Sequence, residues 1–261
     1  MRTALTIAGS DSGAGAGIQA DLKTFAAHGV YGTCAITAIT AQNTLGVTMV
    51  EALSADLVTA QIEAVASDIG AHAVKTGMLA TAAIVEAVAA AVRDLELPLL
   101  VVDPVMIAKS GDSLVVDDVK EAMKAELLRG AFVVTPNIPE AEALSGIAIR
   151  SDNDRKDAAK RIAALGAKNV VIKGGHLGTG DIRDLLYGHG EFVEFRHERI
   201  ASRHTHGTGC AFASSIAATL ALGGSLHDAI PRAQAYVAGA MTAGIDLGHG
   251  NQPLDHFFRY R

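Results

Sequence analysis

The feature that most constrains this chain is a regular alternation of short apolar runs with helix-like segments. The apolar runs, rich in β-branched residues, cover residues 4–8, 34–40, 73–75, 99–102, 132–135 and 169–173. Between them, the amphipathic pattern of a helix covers residues 18–27, 57–69, 82–95, 119–128 and 155–165. Short continuous apolar strands are typical of sheets buried on both faces, and strand–helix–strand units cross over right-handed. The pattern therefore predicts an α/β fold with a central, mostly parallel sheet and helices on both faces.

Two segments interrupt the alternation. Apolar residues at 185–187 and 192–195 flank the turn-forming residues 188–191, which predicts a β-hairpin. After Gly207 the pattern is helical and rich in small residues, with Pro231 near the start or a kink of the last long helix. We find no internal repeat and no linker long enough to separate two domains. Residues 1–261 are therefore expected to form a single domain.

Charge and cysteine content exclude several classes of function. The formal net charge of −6 argues against nucleic acid as the main partner, because phosphate backbones favour clustered Lys and Arg. No apolar segment reaches membrane-spanning length and no targeting segment is evident, so we expect no membrane partner. The two cysteines and the scattered histidines lack metal-ligand spacing. These features predict a cytoplasmic protein without a structural zinc site.

Polar and glycine-rich residues follow the predicted strands. They occur at residues 9–11, 42–43, 103–104, 137–140 and 174–176. In open parallel sheets, ligands bind beyond the carboxyl ends of the strands, where loops lead into helices. The sequence therefore predicts a binding site along this edge of the sheet.

The first glycine-rich loop, residues 9–17, does not fit the common nucleotide-binding motifs. Gly15, Gly17 and Ala20 match the dinucleotide fingerprint loosely, but that motif requires an acidic residue after the second strand. Here the second strand ends with Gln42 and Asn43. A Walker-type loop, G-x-x-x-x-G-K-S/T, is also absent from the sequence. The loop therefore indicates neither a Rossmann dehydrogenase nor a P-loop enzyme.

Two other segments indicate an anion site. Lys173 ends a buried strand directly before two glycines, where it either meets an anion or extends to solvent. Residues 205–210 (THGTGC) lead into a helix, so unpaired N–H groups and the positive end of the helix dipole converge there. Such a turn suits a transferring phosphoryl group. Cys210 lies in the first helical turn, where the dipole favours a thiolate, whereas Cys34 reads as a small buried strand residue.

The ordered set of motifs resembles the hydroxymethylpyrimidine/phosphomethylpyrimidine kinases of thiamine biosynthesis. The matching segments cover nearly the whole chain and lie at residues 8–11, 15–25, 40–43, 75–79, 103–106, 109–111, 135–141, 173–176 and 206–210. The resemblance implies a ribokinase-like fold that uses ATP and Mg²⁺, with a monovalent cation as a further candidate. It implies two successive phosphorylations of a small-molecule substrate, 4-amino-5-hydroxymethyl-2-methylpyrimidine, first to the monophosphate and then to the diphosphate. It also suggests a homodimer, with residues 46–50 as an edge strand near the interface.

The resemblance assigns roles residue by residue. Substrate positions are Gly9, Asp21, Gln42, Met78 and Val105; nucleotide positions are Asn137, Lys173 and Thr208; magnesium positions are Asp103 and Glu140; and catalytic positions are Lys173, Gly207, Gly209 and Cys210, with Cys210 as the base of the first step. The residue types alone leave structural alternatives open. Asp21 and Glu140 also suit the first turn of a helix, Met78 and Val105 a hydrophobic core, and Gln42 a turn.

Three further expectations follow. Relatives commonly have proline where this chain has Ser12, and its loss is expected to loosen the first loop. Pyridoxal kinases of the same fold share much of the pattern and are the nearest alternative. A protein that binds a pyrimidine without catalysis is the alternative from another class, although Lys173, Cys210 and both carboxylates argue against it.

Overall fold

The computed structural model describes residues 1–106, 117–176 and 180–261. Within them, the strands are β1 (Thr3–Asp11), β2 (Tyr31–Gln42), β3 (Val47–Ala52), β4 (Ala73–Thr76), β5 (Leu100–Val102), β6 (Val133–Val134), β7 (Asn169–Ile172), β8 (Ile182–Gly188) and β9 (Glu191–His197). The helices are α1 (Gly17–Ala27), α2 (Ala55–Asp68), α3 (Ala82–Asp94), α4 (Asp117–Ala122), α5 (Ile138–Ser145), α6 (Asp152–Ala164), α7 (Thr208–Ala221) and α8 (Leu226–Ala243). The predicted segment 109–111 lies outside the described residues.

The strands form one mostly parallel sheet, which confirms the predicted fold class. Its order is β3-β2-β1-β4-β5-β6-β7-β8-β9. Strand β1 pairs in parallel with β2 on one side and with β4 on the other, and β4 to β7 continue in parallel. Strands β2 and β3 thus extend the sheet on one side of β1, and β4 and the later strands extend it on the other. This reversal of the strand order creates a topological switch point between β1 and β4. Strands β8 and β9 form the predicted antiparallel hairpin.

Helices cover both faces of the sheet because the central strands are apolar on both sides. Along β5, Leu100 and Val102 face one core while Val101 faces the other, as the two-residue period of a strand requires. The first core contains residues from α2 to α6, and the second contains residues from α1, α7 and α8. This arrangement explains why the strand sequences read as continuous apolar runs.

Two elements differ from the sequence prediction. The helix expected over residues 119–128 is α4 followed by a π-helical turn at Met123–Leu127 and a 3₁₀ turn at Leu128–Gly130. Helix α5 was not predicted because its eight residues are too few for a clear periodicity. Its N-terminus carries a capping box, in which Asn137 and Glu140 each accept a hydrogen bond from the backbone N–H of the other.

The sheet edge beside β2 is open. Strand β3 pairs antiparallel with β2 and has no neighbour on its other side in the described part of the chain. Met49 is 68% exposed and Leu45, just before the strand, is 66% exposed. The sequence predicted an edge strand here, and the strand is confirmed. Among the described residues, the model contains no helix with the length and hydropathy needed to cross a bilayer.

Candidate active site

A cavity of about 720 Å³ opens at the carboxyl ends of the strands, over the switch point between β1 and β4. All but one of the site residues predicted from the sequence line it, namely Gly9, Gln42, Met78, Val105, Asp103, Asn137, Glu140, Lys173, Gly207, Thr208, Gly209 and Cys210. The exception is Asp21. Residues that are more than 100 positions apart in the chain thus meet in one pocket because parallel strands end at the same edge of the sheet.

The first glycine loop is held by the carboxylate at the end of β1. Asp11 accepts hydrogen bonds from the N–H groups of Gly13, Gly15 and Ala16, at 2.8, 3.1 and 2.8 Å. His206 Nε2 lies 2.9 Å from the same carboxylate. Burial alone would raise the pKa of Asp11, but the His206 bond, its charge and the loop amides together lower it. The sequence analysis missed this clamp, which joins the first loop to the turn before α7.

The turn before α7 requires glycine at one position. Gly207 has φ of 83°, in the left-handed region, and a Cβ there would collide with the carbonyl oxygen of Gly15. The two loops therefore touch through their backbones. Beyond Gly207, the N–H groups of Gly209 and Cys210 make no hydrogen bond to another described residue, and both residues line the cavity. This is the geometry of a helix N-terminus that faces a ligand.

Ser12 ties the first loop to the end of β2. Its hydroxyl donates to the carbonyl oxygen of Gln42 and accepts from the N–H of Gln42, both at 2.8 Å. A proline at this position would lack the hydroxyl that makes these bonds. These two hydrogen bonds hold the first loop at the position where the sequence predicted a looser loop.

A second part of the cavity is apolar with one amide at its rim. Met78 and Val105 line it, and the methyl group of Met78 packs directly against Gly9. Gln42 Oε1 lies 3.1 Å from the hydroxyl of Thr40. A flat ring with polar edges suits such a slot, because its faces contact apolar groups and its edge meets a carboxamide.

The charged residues that line the cavity include Lys173 and the carboxylates Asp103 and Glu140. Lys173 Nζ lies 3.2 Å from Asp103 Oδ1. Burial of Glu140 raises its pKa to about 7, and this effect outweighs the opposing attraction of Lys173. Burial alone would lower the pKa of Lys173, but Asp103 and Glu140 raise it, so its ammonium stays charged. Glu140 thus takes part in the helix cap and also lines the cavity. The same is true of its capping partner Asn137.

The donor set suits Mg²⁺ bound together with substrate phosphates. The described part of the chain contains no group of three or more His, Cys, Asp or Glu residues that could hold a metal ion by themselves. Mg²⁺ is usually bound by one or two carboxylates, waters and phosphate oxygens rather than by an all-protein cage. Asp103 and Glu140, both lining the cavity beside Lys173, meet that requirement.

The surroundings of Cys210 do not favour the predicted thiolate in the unliganded protein. Burial raises the pKa of the thiol to about 11, and the nearby Lys75 lowers it only in part, while Asp21 and Asp103 oppose that effect. The sequence argument counted the helix dipole and not the loss of water around the sulfur, which is the larger effect. Cys210 is therefore a neutral thiol at physiological pH.

Asp21 does not contact the cavity. It is fully buried, and its carboxylate accepts hydrogen bonds from Lys75 Nζ at 2.8 and 3.0 Å and from the hydroxyls of Thr6 and Ser214 at 2.6 Å each. No oxygen is left for a substrate amine, so the predicted role in ring binding is corrected, as is the alternative of an exposed helix acid. Asp21 lies beneath the cavity, where it contacts Ser214 one helical turn below Cys210 on α7, while its partner Lys75 lines the cavity.

Fold and cavity together define a class of protein. A site at the sheet switch point that places an ammonium group and two carboxylates beside a helix N-terminus is suited to moving a phosphoryl group. The class is that of small-molecule kinases with a ribokinase-like fold.

Comparison with known proteins gives the family. Residues 11–255 match the phosphomethylpyrimidine kinase family model. The hydroxymethylpyrimidine/phosphomethylpyrimidine kinase of Bacillus subtilis is 48% identical, over 97% of this chain and 94% of that protein. The thiamine biosynthesis bifunctional protein ThiED of Geobacter sulfurreducens is also 48% identical over 97% of this chain, which spans only 51% of that longer protein. The chain belongs to the phosphomethylpyrimidine kinase family.

Solved structures agree with the fold and add a second activity among the neighbours. Phosphomethylpyrimidine kinase from Clostridium difficile is 44% identical, with a TM-score of 0.81 over 91% of this chain and 98% of that one. Pyridoxal kinase from Staphylococcus aureus, solved in complex with ADP, is 40% identical, with a TM-score of 0.92 over 100% of this chain and 95% of that one. The ribokinase-like fold and kinase class predicted from the sequence are confirmed.

Proposed function

We propose that this kinase transfers a phosphoryl group from ATP to 4-amino-5-hydroxymethyl-2-methylpyrimidine, and then a second to the monophosphate, in thiamine biosynthesis. The observation that carries the proposal is the division of one cavity into an apolar slot rimmed by Gln42 and a charged end with Lys173. The names of relatives 48% identical over nearly the whole chain support the same substrate. Retention of the lysine and both carboxylates argues against a protein that only binds.

In the first step, the hydroxymethyl oxygen attacks the γ-phosphorus of ATP while the bond to ADP breaks. Lys173 neutralises charge on the transferring oxygens, and the N–H groups of Gly209 and Cys210 donate to the developing negative charge. Because phosphoryl transfer proceeds through a loose transition state, the acceptor needs little activation before attack. This suits a neutral Cys210 thiol, which positions the hydroxyl group, while the hydroxyl proton passes to an oxygen of the transferred phosphoryl group as the new P–O bond forms.

The second step differs in the acceptor. A phosphate monoester has a second pKa of about 6, so its attacking oxygen is already ionised at neutral pH. The step then requires positive charge to offset two anions, and no proton acceptor at all. Lys173 and the N–H groups at the start of α7 line the cavity and supply positive charge there.

Asp103 and Glu140 are the residues that would hold Mg²⁺ beside the ATP phosphates. Bound there, the ion supplies charge neutralisation of the phosphate oxygens. Glu140 carries a proton for much of the time at neutral pH, because burial raises its pKa to about 7. Cation binding therefore requires that Glu140 release this proton, as ligands generally must.

Phosphorylation of pyridoxal is a second candidate function, and a specific observation favours it. The pyridoxal kinase of Staphylococcus aureus superposes with a TM-score of 0.92, against 0.81 for the Clostridium difficile phosphomethylpyrimidine kinase. Both alcohols are flat heteroaromatic rings with a hydroxymethyl arm, so the slot between Met78 and Val105 accommodates either. We propose pyridoxal as the weaker substrate.

We further propose that two copies associate along the open edge at β3. Met49, Val50 and Leu45 are exposed apolar side chains on or beside an edge strand, and such strands pair readily. We place the protein in the cytoplasm, where ATP is available and where Cys34 and Cys210, neither of which forms a disulfide, stay reduced. Sedimentation analysis of the protein and of Met49→Lys tests the dimer. A monomeric native protein would contradict it.

The test of function is product identification by mass spectrometry. Purified protein is incubated with ATP, Mg²⁺ and the hydroxymethylpyrimidine, and in parallel with pyridoxal. The proposal predicts the pyrimidine monophosphate early and the diphosphate later. Formation of pyridoxal phosphate alone would favour the second candidate, and no phosphorylated product from either would reject both.

A further inference from the structure

The turn that carries Lys173 is held by a buried carboxylate on the neighbouring strand. Asp184 on β8 is 3% exposed, and its Oδ1 accepts a hydrogen bond of 2.8 Å from the N–H of Gly174. Its Oδ2 accepts a hydrogen bond of 2.8 Å from Nε2 of Gln234 on α8. His197 Nε2 on β9 lies 3.7 Å from the same Oδ2. One carboxylate thus connects the turn after β7 with α8 and with the hairpin.

The negative charge of Asp184 is unfavourable for the proposed reaction. We therefore expect this residue to contribute through its hydrogen bonds and not through its charge. Asp184 lines the cavity that also contains Lys173 and the start of α7, where ATP phosphates are proposed to bind. A buried carboxylate repels such anions and loses its own hydration. Its two hydrogen-bond donors of 2.8 Å, an amide N–H and a carboxamide, are both neutral and do not cancel the charge.

The hydrogen bond to Gly174 acts one residue away from the lysine. The backbone N–H of Lys173 donates to the carbonyl oxygen of Pro136 at 2.9 Å, so the peptides on both sides of the lysine are fixed. Gly174 itself is pressed against β8, because a Cβ there would collide with the carbonyl oxygen of Arg183. The buried guanidinium of Arg155 donates to that same carbonyl oxygen at 2.6 Å. The contacts of Gly174 with β8 therefore help to fix the backbone at Lys173 and the orientation of its side chain.

We propose that Asp184 is a positioning residue for phosphoryl transfer. It fixes the turn at Gly174, and so directs the Lys173 ammonium toward Asp103 and the phosphate site. Gln234 holds the Asp184 carboxylate in the orientation that this requires. The kinetic part of the proposal rests on the proposed kinase function, whereas the link between Asp184 and the turn does not.

The test exchanges the donor and the acceptor inside this network. In Asp184→Asn, an amide whose oxygen accepts from Gly174 turns its own NH₂ group toward the NH₂ group of Gln234. Two donors then face each other, because turning the Gln234 amide over would break its second hydrogen bond, to the carbonyl oxygen of Phe195 at 3.4 Å. In the double variant Asp184→Asn/Gln234→Glu, the new carboxylate accepts from the asparagine and both hydrogen bonds return. Asp255→Asn is the control, since Asp255 is also 3% exposed but does not line the cavity.

Steady-state kinetics with ATP and the hydroxymethylpyrimidine, together with hydrogen exchange of the peptide around Gly174, give two independent readouts. We expect Asp184→Asn to lower kcat about 100-fold with little change in KM for ATP, since misplacement by about 1 Å has that cost. Exchange at Gly174 should become faster. The double variant should recover most of both, and Asp255→Asn should match the native protein.

Three results would overturn the proposal. Native kcat in Asp184→Asn, with or without a lower KM for ATP, would mean that the residue acts through its charge alone or not at all. A double variant that folds but recovers neither kcat nor slow exchange would exclude the hydrogen-bond network. Unchanged exchange at Gly174 in a folded Asp184→Asn would remove the link itself. A native protein that phosphorylates no pyrimidine would instead reject the proposed function, and the exchange experiment would still decide the link.

Discussion

Substitution of Lys75 by methionine tests whether the buried pair of Lys75 and Asp21, at the floor of the cavity, is structural. Lys75 and Asp21 are both fully buried, and their Nζ and Oδ2 atoms lie 2.8 Å apart. Methionine keeps most of the side-chain volume and removes the charge, so Asp21 retains only the hydroxyl groups of Thr6 and Ser214 as partners. A buried carboxylate without its cation is strongly destabilising.

The expected size follows from general values for such pairs and from the length of the chain. Removal of one partner of a buried ion pair costs about 3–5 kcal/mol. For 261 residues, the entropy of unfolding is about 0.55 kcal/mol per kelvin at about 2.1 cal/mol/K per residue. The melting temperature should therefore fall by about 5–9 °C. Asp21→Asn should cause a similar fall, and the double variant Lys75→Met/Asp21→Asn should recover much of it, because neutral replacement of the whole pair is often well tolerated.

Thermal unfolding followed by circular dichroism measures the three variants, and KM for the pyrimidine is measured below the transition. The alternative, in which Asp21 binds the substrate ring, gives a different result. Asp21→Asn would then raise KM and leave the melting temperature unchanged. That outcome, or additive effects in the double variant, would refute the reasoning.

Three further predictions concern single residues. Gly207→Ala should lower the activity at least about 100-fold, because the new Cβ collides with backbone atoms of the first loop. The control Gly223→Ala has a similar φ of 88° but open space around the new Cβ, so it should keep its activity and lose about 1 kcal/mol of stability. Equal activity in both variants would contradict the contact between the loops. Burial lowers the pKa of His256 to about 4 from 6.5, so between these pH values the unfolded chain binds a proton that the folded chain excludes. The free energy of unfolding should therefore fall by up to about 3 kcal/mol as the pH decreases from 6.5 to 4. In urea unfolding, His256→Gln should show a weaker dependence of this free energy on pH. With Cys34 replaced by alanine, alkylation of Cys210 by iodoacetamide should be slow at neutral pH and rise with pH toward about 11, and rapid alkylation near pH 7 would contradict the neutral thiol.

The sequence was sufficient for the fold and for most of the cavity wall. Each strand predicted from an apolar run is present, because a strand buried on both faces is apolar along most of its length. Gln42, Lys173 and Cys210 were placed in the site because they follow strands or begin a helix at the carboxyl edge of the sheet. Such inferences depend on chain order alone.

What the sequence did not reveal depends on partners distant in the chain. Asp21 looks like a first-turn helix acid until Lys75, 54 residues away, is found against it. The clamp between Asp11 and His206 joins residues 195 positions apart, and the motifs that contain them do not show that the two side chains meet. The pKa of Cys210 likewise depends on its burial and on Lys75, Asp21 and Asp103, which are distant in the chain. Spacing gives the position of a residue on an element, and it does not give the amount of water that remains around it.

The most direct measurement is the rate of phosphorylation of the hydroxymethylpyrimidine, with ATP and Mg²⁺, by the native protein and by Lys173→Met. The account predicts successive mono- and diphosphate products from the native protein, and a kcat lower by at least about 100-fold for both steps in the variant. A native protein that forms neither product, or a Lys173→Met variant that forms both at the native rate, would contradict it.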